Sequence, residues 1–247
     1  MKIYNSLIIG SGYCAVGYAA ACPNSVICEE QQVCDTQFYL PLVGYRHQPY
    51  LPKTEEGSRL LSKFVELSLF ENGMQNTNGF EFALCRYLVE KEIEVLLKCR
   101  VIRVFRREDL LYDVTVHTNE GLSHLIAKKI IDTRNRAGKK YYTVLFICND
   151  LQAVQDKLLS MYKGSCIEPA FYQGRYALHI PVATADENRI KLEIYQKWGA
   201  LDVAAKILYM APVFYKGTST DLLCDGHYEN PIEAFEAGYL CAKEENR

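Results

Sequence analysis

The sequence predicts an α/β protein whose first strand, helix and second strand form one βαβ unit. A short apolar run at residues 6–9 leads directly into the turn Gly10–Gly12, and the small residues 15–21 that follow suit a helix. A Pro-Asn pair then ends this helix, and residues 25–28 form a second apolar run. Because parallel strands need a crossover connection, a helix between two such runs favours a parallel sheet.

Composition limits the class of protein. With 247 residues, of which 49% are hydrophobic, the chain can bury a full core. A formal net charge of -2 and the lack of a long basic run leave no excess of Lys and Arg for a phosphate backbone, so we expect no nucleic-acid partner. The N-terminal apolar stretch ends in glycines without a cleavage-site pattern, and no apolar run is long enough to span a bilayer. We therefore expect a cytoplasmic protein without a membrane partner.

The cysteine pattern favours reduced, buried thiols. The ten cysteines are scattered, several lie in apolar runs, and they show neither a CxxC pair nor the Cys/His spacing of a metal site. We predict no metal; an extracellular disulfide framework and a metal site are the alternatives. Cys34 is a candidate redox-active thiol on the condition that nearby positive charge stabilises its thiolate.

Periodicity and turn residues predict the remaining elements. The first part of the chain is expected to contain a long loop at 33–57, helices at 58–70 and 79–91, and strands at 94–98, 101–106, 112–118 and 125–131. The second part is expected to contain a strand at 141–148, a helix at 150–162, a strand at 176–182, an alternating apolar pattern at 189–196, a short helix at 201–205 and a closing helix at 231–243. Asn230 is the expected N-cap of the last helix.

The glycine-rich turn carries the clearest chemical signal. Gly10, Gly12 and Ala15 fit the G-x-G-x-x-G/A pattern, directly after a strand and at the start of a helix. Gly10 permits the tight turn, Gly12 lets the backbone approach a pyrophosphate, and Ala15 keeps the helix close to the strand. Free N–H groups at the helix start then meet the phosphates, which adds Ser11, Tyr13 and Cys14 to the candidate contacts.

An acidic residue at the end of the second strand completes the pattern. It is expected about twenty positions after the first glycine, where it hydrogen-bonds the ribose hydroxyls. Glu29 and Glu30 both occupy this place, and strand alternation does not choose between them. The sequence therefore predicts a dinucleotide site; the alternative is a glycine turn in an ordinary α/β protein with both glutamates solvated.

Three stretches resemble the FAD-dependent oxidoreductases of the glutathione-reductase-like superfamily. They are the fingerprint SLIIGSGYCAVGYAAA at 6–21 with its acidic strand end, residues 80–136, and NPIEAFEAGYLCA at 230–242, and they cover a little over a third of the chain. The resemblance implies FAD rather than NAD as the cofactor. It also implies a FAD/NAD(P)-binding Rossmann-like domain of three-layer ββα architecture, formed by residues 1–139 and 216–247, with a small inserted α+β domain for substrate or interface at 140–215.

The resemblance assigns further site residues. The backbone that reads the adenine in this family falls on Arg100 and Val101. The family segment IDATGD maps onto residues 131–136 and makes Thr133 and Arg134 candidate contacts. This chain matches the segment at Ile131 and Asp132, and among its departures Asn135 stands in place of the glycine and Arg136 in place of the acid.

The C-terminal part of the resemblance adds two more residues. The family presents a Gly-Asp pair to the ribityl chain and phosphate, and the nearest match here is Cys224-Asp225-Gly226, in reversed order. Asp225 is the candidate contact of this segment. Pro231 opens the returning helix, whose start approaches the flavin in the family.

Two other pairs are weaker candidates. Arg46 and His47 lie in the long loop. In relatives this loop lies along the cofactor, so the two side chains could contact the pyrophosphate or the substrate. Arg175 and His179 lie in the inserted domain, where strand alternation could point both toward a substrate. Each pair is also consistent with an ordinary structural role.

The leading hypothesis is an FAD-dependent oxidoreductase or flavoprotein subunit that acts on a small-molecule substrate, with an electron-transfer protein as a candidate partner. One alternative is a non-catalytic accessory or binding protein with an eroded cofactor site, which the departures at Asn135 and Arg136 favour. Another is an NAD(P)-binding enzyme, which would not need the returning C-terminal helix. No motif places a general acid or base, so no catalytic residue is predicted.

Overall fold

The computed structural model describes residues 2–34, 38, 50–71, 74–134, 139–184, 186–201, 204–211, 214–216, 223–225, 228 and 230–245. The helices in these ranges are α1 (Tyr13–Ala21), α2 (Glu55–Glu66), α3 (Phe80–Glu90), α4 (Leu151–Met161), α5 (Glu187–Ala200) and α6 (Pro231–Glu245). The strands are β1 (Ile3–Tyr4), β2 (Ser6–Ile9), β3 (Ser25–Cys28), β4 (Phe70–Glu71), β5 (Met74–Gln75), β6 (Glu94–Leu96), β7 (Arg100–Arg106), β8 (Tyr112–Thr118), β9 (Gly121–Ala127), β10 (Ile130–Asp132), β11 (Lys139–Cys148), β12 (Cys166–Pro169), β13 (Arg175–Pro181), β14 (Ala205–Met210) and β15 (Phe214–Lys216).

A parallel sheet in the order β10-β2-β3-β6 carries the glycine turn. Side chains alternate along β2, so Ile8 packs with α1 and α6 while Leu7 and Ile9 pack on the other side against β1-β9-β8-β7, a mainly antiparallel sheet in which β1 pairs in parallel with β9. Both faces of the parallel sheet are thereby covered, as its continuous apolar strands require. This is the predicted three-layer ββα arrangement, and the prediction of an α/β Rossmann-like fold is confirmed.

The prediction of one strand over residues 125–131 is wrong. The chain leaves the antiparallel sheet at Ala127 and enters the parallel sheet at Ile130. Lys128 and Lys129 make the step, because the Lys128 N–H donates to the Tyr4 carbonyl and the Lys129 carbonyl accepts from the Leu7 N–H. The two lysines interrupt the apolar residues at the point where the chain passes from one sheet to the other.

A second antiparallel sheet runs β12-β13-β11-β14, with β15 also paired to β11. Its own core lies under α4 and α5. Residues 189–196 belong to α5 rather than to a strand, because Ile190, Ile194 and Trp198 recur at helical spacing and are buried, whereas Leu192 is 59% exposed. The short helix expected at 201–205 is also wrong, since α5 ends at Ala200 and β14 begins at Ala205. The two-domain division stays a prediction.

Helix α2 begins and ends earlier than the predicted 58–70. Thr54 caps it by accepting a hydrogen bond from the Gly57 N–H at 2.9 Å, so the helix starts three residues sooner. Ser68, with a φ of 52°, turns the chain out of the helix, and Phe70 lies in β4. The predicted loop at 33–57 lies mostly outside the described residues.

Helices α1 and α6 cross at two glycines. A Cβ on Gly17 would lie closer than 3.0 Å to the backbone carbonyl of Phe235, and one on Gly238 would lie equally close to the Cys14 carbonyl. The two backbones are therefore in direct contact. This crossing joins the helix of the glycine turn to the last described helix.

Glu236 of α6 holds the start of α2. Its carboxylate, 1% exposed, accepts hydrogen bonds from the N–H groups of Lys53 and Thr54, from the Thr54 hydroxyl and from the Tyr50 hydroxyl. A Cβ on Gly57 would lie closer than 3.0 Å to this carboxylate. A remote carboxylate thus holds the segment that leads into α2, including Thr54, the N-cap of that helix.

Glu56 joins α2 to α3 and should make stability depend on pH. Its carboxylate accepts from the Tyr87 hydroxyl at 2.7 Å and from the Lys91 ammonium at 2.9 Å. Burial raises the pKa of Glu56, but the hydrogen bonds from Lys91 and Tyr87 outweigh burial, and the net pKa is lowered. A carboxyl whose folded-state pKa is lowered contributes stability above its unfolded pKa of about 4.3, and that stability is lost as the pH falls through the folded pKa.

We therefore expect Glu56→Gln to flatten the acid side of the stability profile. Urea unfolding between about pH 6 and about pH 3 should show a smaller loss of free energy of unfolding than in the wild type. Glu55→Gln, at a neighbouring and exposed carboxylate, is the matched control and should keep the wild-type slope. If the free energy of unfolding of Glu56→Gln falls with pH as steeply as that of the wild type, Glu56 does not cause the acid loss of stability.

Among the residues that the structure describes, none of the helices has both the length and the apolar character of a bilayer span.

Candidate functional site

The glycine turn connects β2 to α1 at the carboxyl edge of the parallel sheet. Gly10 has a φ of +98°, which glycine tolerates, and its N–H donates to the Cys28 carbonyl at 2.9 Å. Gly12 is the N-cap residue of α1. Because glycine has no side chain, Gly12 cannot accept a hydrogen bond from the first N–H groups of the helix. Ala15 is fully buried against the sheet. The three predicted fingerprint residues therefore occupy the structural positions that the pattern requires.

Asp225 supplies the missing cap of α1. Its carboxylate accepts from the Tyr13 N–H at 2.7 Å and from the Cys14 N–H at 2.8 Å. A Cβ on Gly12 would lie closer than 3.0 Å to this carboxylate, so glycine is required here by Asp225 itself. Burial raises the pKa of Asp225, with the two N–H groups acting in the opposite direction. Sequence reasoning placed Asp225 near the ribityl chain and missed this contact.

The structure distinguishes between the two glutamates after β3. Glu29 is buried, and one of its carboxylate oxygens accepts from the Ser11 N–H at 3.0 Å and the Ser11 hydroxyl at 2.8 Å. Its other oxygen accepts from the Gln31 N–H at 2.8 Å. Glu30 is exposed and meets the Arg134 guanidinium at 3.4 Å. Glu29 is therefore the acid that faces the glycine turn.

Arg100 and Val101 begin β7 beside this acid. The Cys99 N–H donates to the Glu29 carbonyl at 2.8 Å, and the Lys98 N–H donates to the Gln31 carbonyl at 2.9 Å. The backbone that leads into β7 therefore runs next to the segment after β3. The structure brings these two candidates to the same edge of the sheet as Glu29.

Thr133 and Arg134 follow β10 and lie against Gly10. The Thr133 hydroxyl donates to the Ile9 carbonyl at 3.0 Å, and a Cβ on Gly10 would lie 3.0 Å from this hydroxyl oxygen. The Arg134 guanidinium is held by both carboxylate oxygens of Asp132, at 2.8 and 2.6 Å. The hydrogen bonds with Asp132 raise the pKa of Arg134. Asn135 and Arg136, which stand in place of the glycine and the acid of the family segment, lie outside the described residues.

Pro231 is buried at the first position of α6, and Asn230 is its predicted cap. The Asn230 side chain accepts from the Ile232 N–H at 2.8 Å, which confirms that prediction. The Tyr228 N–H donates to the Asp225 carbonyl at 3.0 Å, so the residue that caps α1 is linked to the approach to α6. Pro231 itself makes no described contact with the glycine turn.

The other candidates differ in their surroundings. Arg46 and His47 lie outside the described residues. Cys34 is buried. Its hydrogen bond with Cys85 and, to a smaller extent, its burial raise its pKa, and this favours the thiol over the thiolate. The described ranges hold no group of three or more His, Cys, Asp and Glu side chains that could bind a metal ion.

Arg175 and His179 lie on one face of β13, and the core residues Leu178 and Ile180 lie on the opposite face. His179 is 1% exposed; its Nδ1 lies 2.9 Å from the Thr143 hydroxyl, and its Nε2 lies 3.7 Å from a Glu168 carboxylate oxygen. Arg175 stacks on the Tyr172 ring. The sequence did not single out Thr143 and Glu168, because only the register of β11, β12 and β13 brings them to His179.

No protein-family model and no curated protein matches this sequence. Solved structures do match, along nearly the whole chain. A flavoprotein/dehydrogenase from Cytophaga hutchinsonii superposes with a TM-score of 0.58 at 13% identity, over 98% of this chain and 77% of its own. The p-nitrophenol 4-monooxygenase of Pseudomonas putida gives a TM-score of 0.56 at 12% identity, over 98% of this chain and 78% of its own.

A third match is aklavinone-11 hydroxylase, solved in a ternary complex with FAD and aklavinone. It gives a TM-score of 0.53 at 10% identity, and this chain spans 64% of its length. At these identities the likeness defines the fold: the chain has the Rossmann-like fold of FAD-binding flavoproteins. The glutathione-reductase-like subtype is not distinguished by these matches and stays a prediction.

Proposed function

We propose that this chain is a flavoprotein of the FAD-dependent oxidoreductase type, with the cofactor at the carboxyl edge of the parallel sheet. The observation that carries the proposal is the junction of β2 and α1. There the Gly10 turn, the buried Ala15 and the Glu29 carboxylate lie together as a dinucleotide site requires. The fold shared with flavin-dependent dehydrogenases, monooxygenases and hydroxylases supports the same class.

The residues fit FAD in type and placement, with one condition. Gly12 leaves room at the start of α1 for a phosphate, and the N–H groups of Tyr13 and Cys14 would hold the pyrophosphate. These two N–H groups are bonded to Asp225, so the carboxylate has to withdraw before an anion of the cofactor can take its place.

The adenosine end would use the residues beside β3. Glu29 would exchange its hydrogen bonds with Ser11 for the ribose hydroxyls, and the backbone at Arg100 and Val101 would read the adenine. Thr133 and Arg134 would close the turn over Gly10. The aligned N–H groups of α1 favour an anion at this end of the helix.

The bound flavin would supply hydride or electron transfer to a small-molecule substrate. The protein's part is to bind and orient the cofactor and to exclude water from it. We place the substrate side of the protein on the face of the second sheet that carries Arg175 and His179, where the imidazole is held by Thr143 near Glu168. No residue is assigned as the general acid or base.

The first measurement is an FAD titration of the purified protein, followed by flavin absorbance and by quenching of flavin fluorescence. We expect saturable binding, and we expect Glu29→Gln to weaken it about tenfold or more, because an ionised acceptor contributes about 1.5–3 kcal/mol to a hydrogen bond. Glu30→Gln is the matched control one residue away, and it should bind FAD as the wild type does.

Three results would contradict the proposal or redirect it. Absence of FAD binding would favour the non-catalytic accessory function. Binding of NADH in preference to FAD would favour an NAD(P)-dependent enzyme. Equal losses in Glu29→Gln and Glu30→Gln would remove Glu29 from the site.

A further inference from the structure

We infer that the Asp225 carboxylate is an internal anion that occupies the pyrophosphate position of this site and competes with the cofactor for it. The inference rests on the proposed function and concerns the regulation of the same site. Asp225 closes the start of α1 when the cofactor is absent and must leave for the cofactor to bind.

The geometry supports direct competition. Both oxygens of Asp225 are used, one on the Tyr13 N–H at 2.7 Å and the other on the Cys14 N–H at 2.8 Å. These are the first N–H groups of α1, which the fingerprint offers to a phosphate. At these distances no space for a second anion is left between Asp225 and the helix, and Asp225 itself is buried.

Charge makes the two occupants exclusive. The N-terminus of a helix carries a partial positive charge that favours one anion placed on its axis. A phosphate brought to the same N–H groups would face the Asp225 carboxylate at close range, where like charges repel strongly in a buried setting. Binding of the pyrophosphate therefore requires displacement of the carboxylate.

Gly12 fits this function of Asp225 as well as it fits a phosphate. Any Cβ at this position would collide with the carboxylate, at less than 3.0 Å. Glu236 provides a comparison within the same chain, because it also lies beside a glycine, Gly57, and accepts from backbone N–H groups, those of Lys53 and Thr54 just before α2. The difference lies in the sequence: α2 does not follow a glycine fingerprint, whereas α1 does. Only the Asp225 contact therefore coincides with a cofactor position.

The size of the effect follows from population. If the closed arrangement holds about nine molecules in ten, the apparent Kd for the cofactor is raised about tenfold over that of the open site. Removing the carboxylate should therefore lower the apparent Kd for the cofactor about tenfold. It should also lower the stability of the protein without cofactor, because two buried N–H groups lose their acceptor.

The test compares the wild type with Asp225→Asn and Asp225→Ala. The probes are FAD, measured by flavin fluorescence, and ADP, measured by calorimetry, since ADP carries a pyrophosphate but no flavin. We expect both variants to bind both probes about tenfold more tightly than the wild type, with a lower Tm before the probe is added. Asp225→Asn keeps the shape of the side chain and covers the case in which Asp225→Ala does not fold.

Glu236→Gln is the matched control. It weakens a second remote carboxylate cap, so it should lower the Tm while leaving both Kd values at their wild-type levels. A general loosening of the protein would change the Kd values in Glu236→Gln as well, and that result would overturn the inference.

The remaining outcomes separate the inference from the proposed function. Weaker or unchanged binding of both probes in the Asp225 variants, with FAD bound by the wild type, overturns the inference and leaves the proposed function standing. Tighter ADP binding without any FAD binding supports the inference and overturns the proposed function. If neither the wild type nor any variant binds FAD or ADP, the inference and the proposed function are both overturned.

Discussion

Replacing Gly17 with alanine is expected to lower the free energy of unfolding by about 3 kcal/mol or more, because the new methyl group meets backbone and not a movable side chain. The Phe235 carbonyl lies where that methyl group would be, at less than 3.0 Å. Helices α1 and α6 would have to separate, and separation uncovers the buried side chains between them. Gly238→Ala, which meets the Cys14 carbonyl, should have an effect of the same size.

Urea unfolding followed by circular dichroism measures this difference, and Gly199 provides the control. Gly199 lies in α5, and a Cβ added to it meets nothing within 4 Å. Gly199→Ala should therefore leave stability unchanged or raise it by up to about 1 kcal/mol through helix propensity. Losses below about 1 kcal/mol in both Gly17→Ala and Gly238→Ala would show that the helices do not cross in contact.

Glu236→Ala is expected to lower the free energy of unfolding by about 2–4 kcal/mol, since several partly buried donors lose one acceptor together. The carboxylate accepts from Lys53 and Thr54 backbone N–H groups at 2.6–2.9 Å and from the Tyr50 hydroxyl at 2.7 Å. Alanine leaves the N–H groups of Lys53 and Thr54, just before α2, without this acceptor in a partly buried place. The start of α2 should become the least protected part of that helix in hydrogen exchange.

Glu233→Ala tests whether the effect belongs to the contact or to the loss of an acidic residue from α6. Glu233 lies in the first turn of the same helix, where a carboxylate interacts with the helix dipole. Its replacement should lower stability by less than about 1 kcal/mol. If Glu233→Ala and Glu236→Ala destabilise equally, the cap on α2 does not carry the energy assigned to it.

Local patterns predicted the βαβ unit and the meander well. The bounds of β2, β3 and β8 match the predictions, because each is a short apolar or alternating run between turn residues. Local pattern failed in α5, where alternate apolar residues also satisfy a helical spacing of four. It failed again at β9 and β10, where one strand was predicted through Lys128 and Lys129, although these two residues interrupt the apolar run where the chain changes sheets.

The site divides in the same way. Gly10, Gly12 and Ala15 could be placed from sequence, because the turn depends on neighbours in the chain. The sequence could not choose between Glu29 and Glu30, because both follow the end of β3 and the choice depends on which side chain turns toward Ser11. The contact of Asp225 with Tyr13 joins residues 212 positions apart, and no local pattern reports it.

The crossing of α1 and α6 has a consequence for biosynthesis. The ribosome makes residues 13–21 well before residues 231–245, yet each helix covers the other at a glycine. A nascent chain therefore carries the apolar face of α1 without its cover until nearly all of the described sequence has left the ribosome. Such late closure of a distant contact slows folding and lengthens exposure of the apolar face, which is the condition under which chaperones bind.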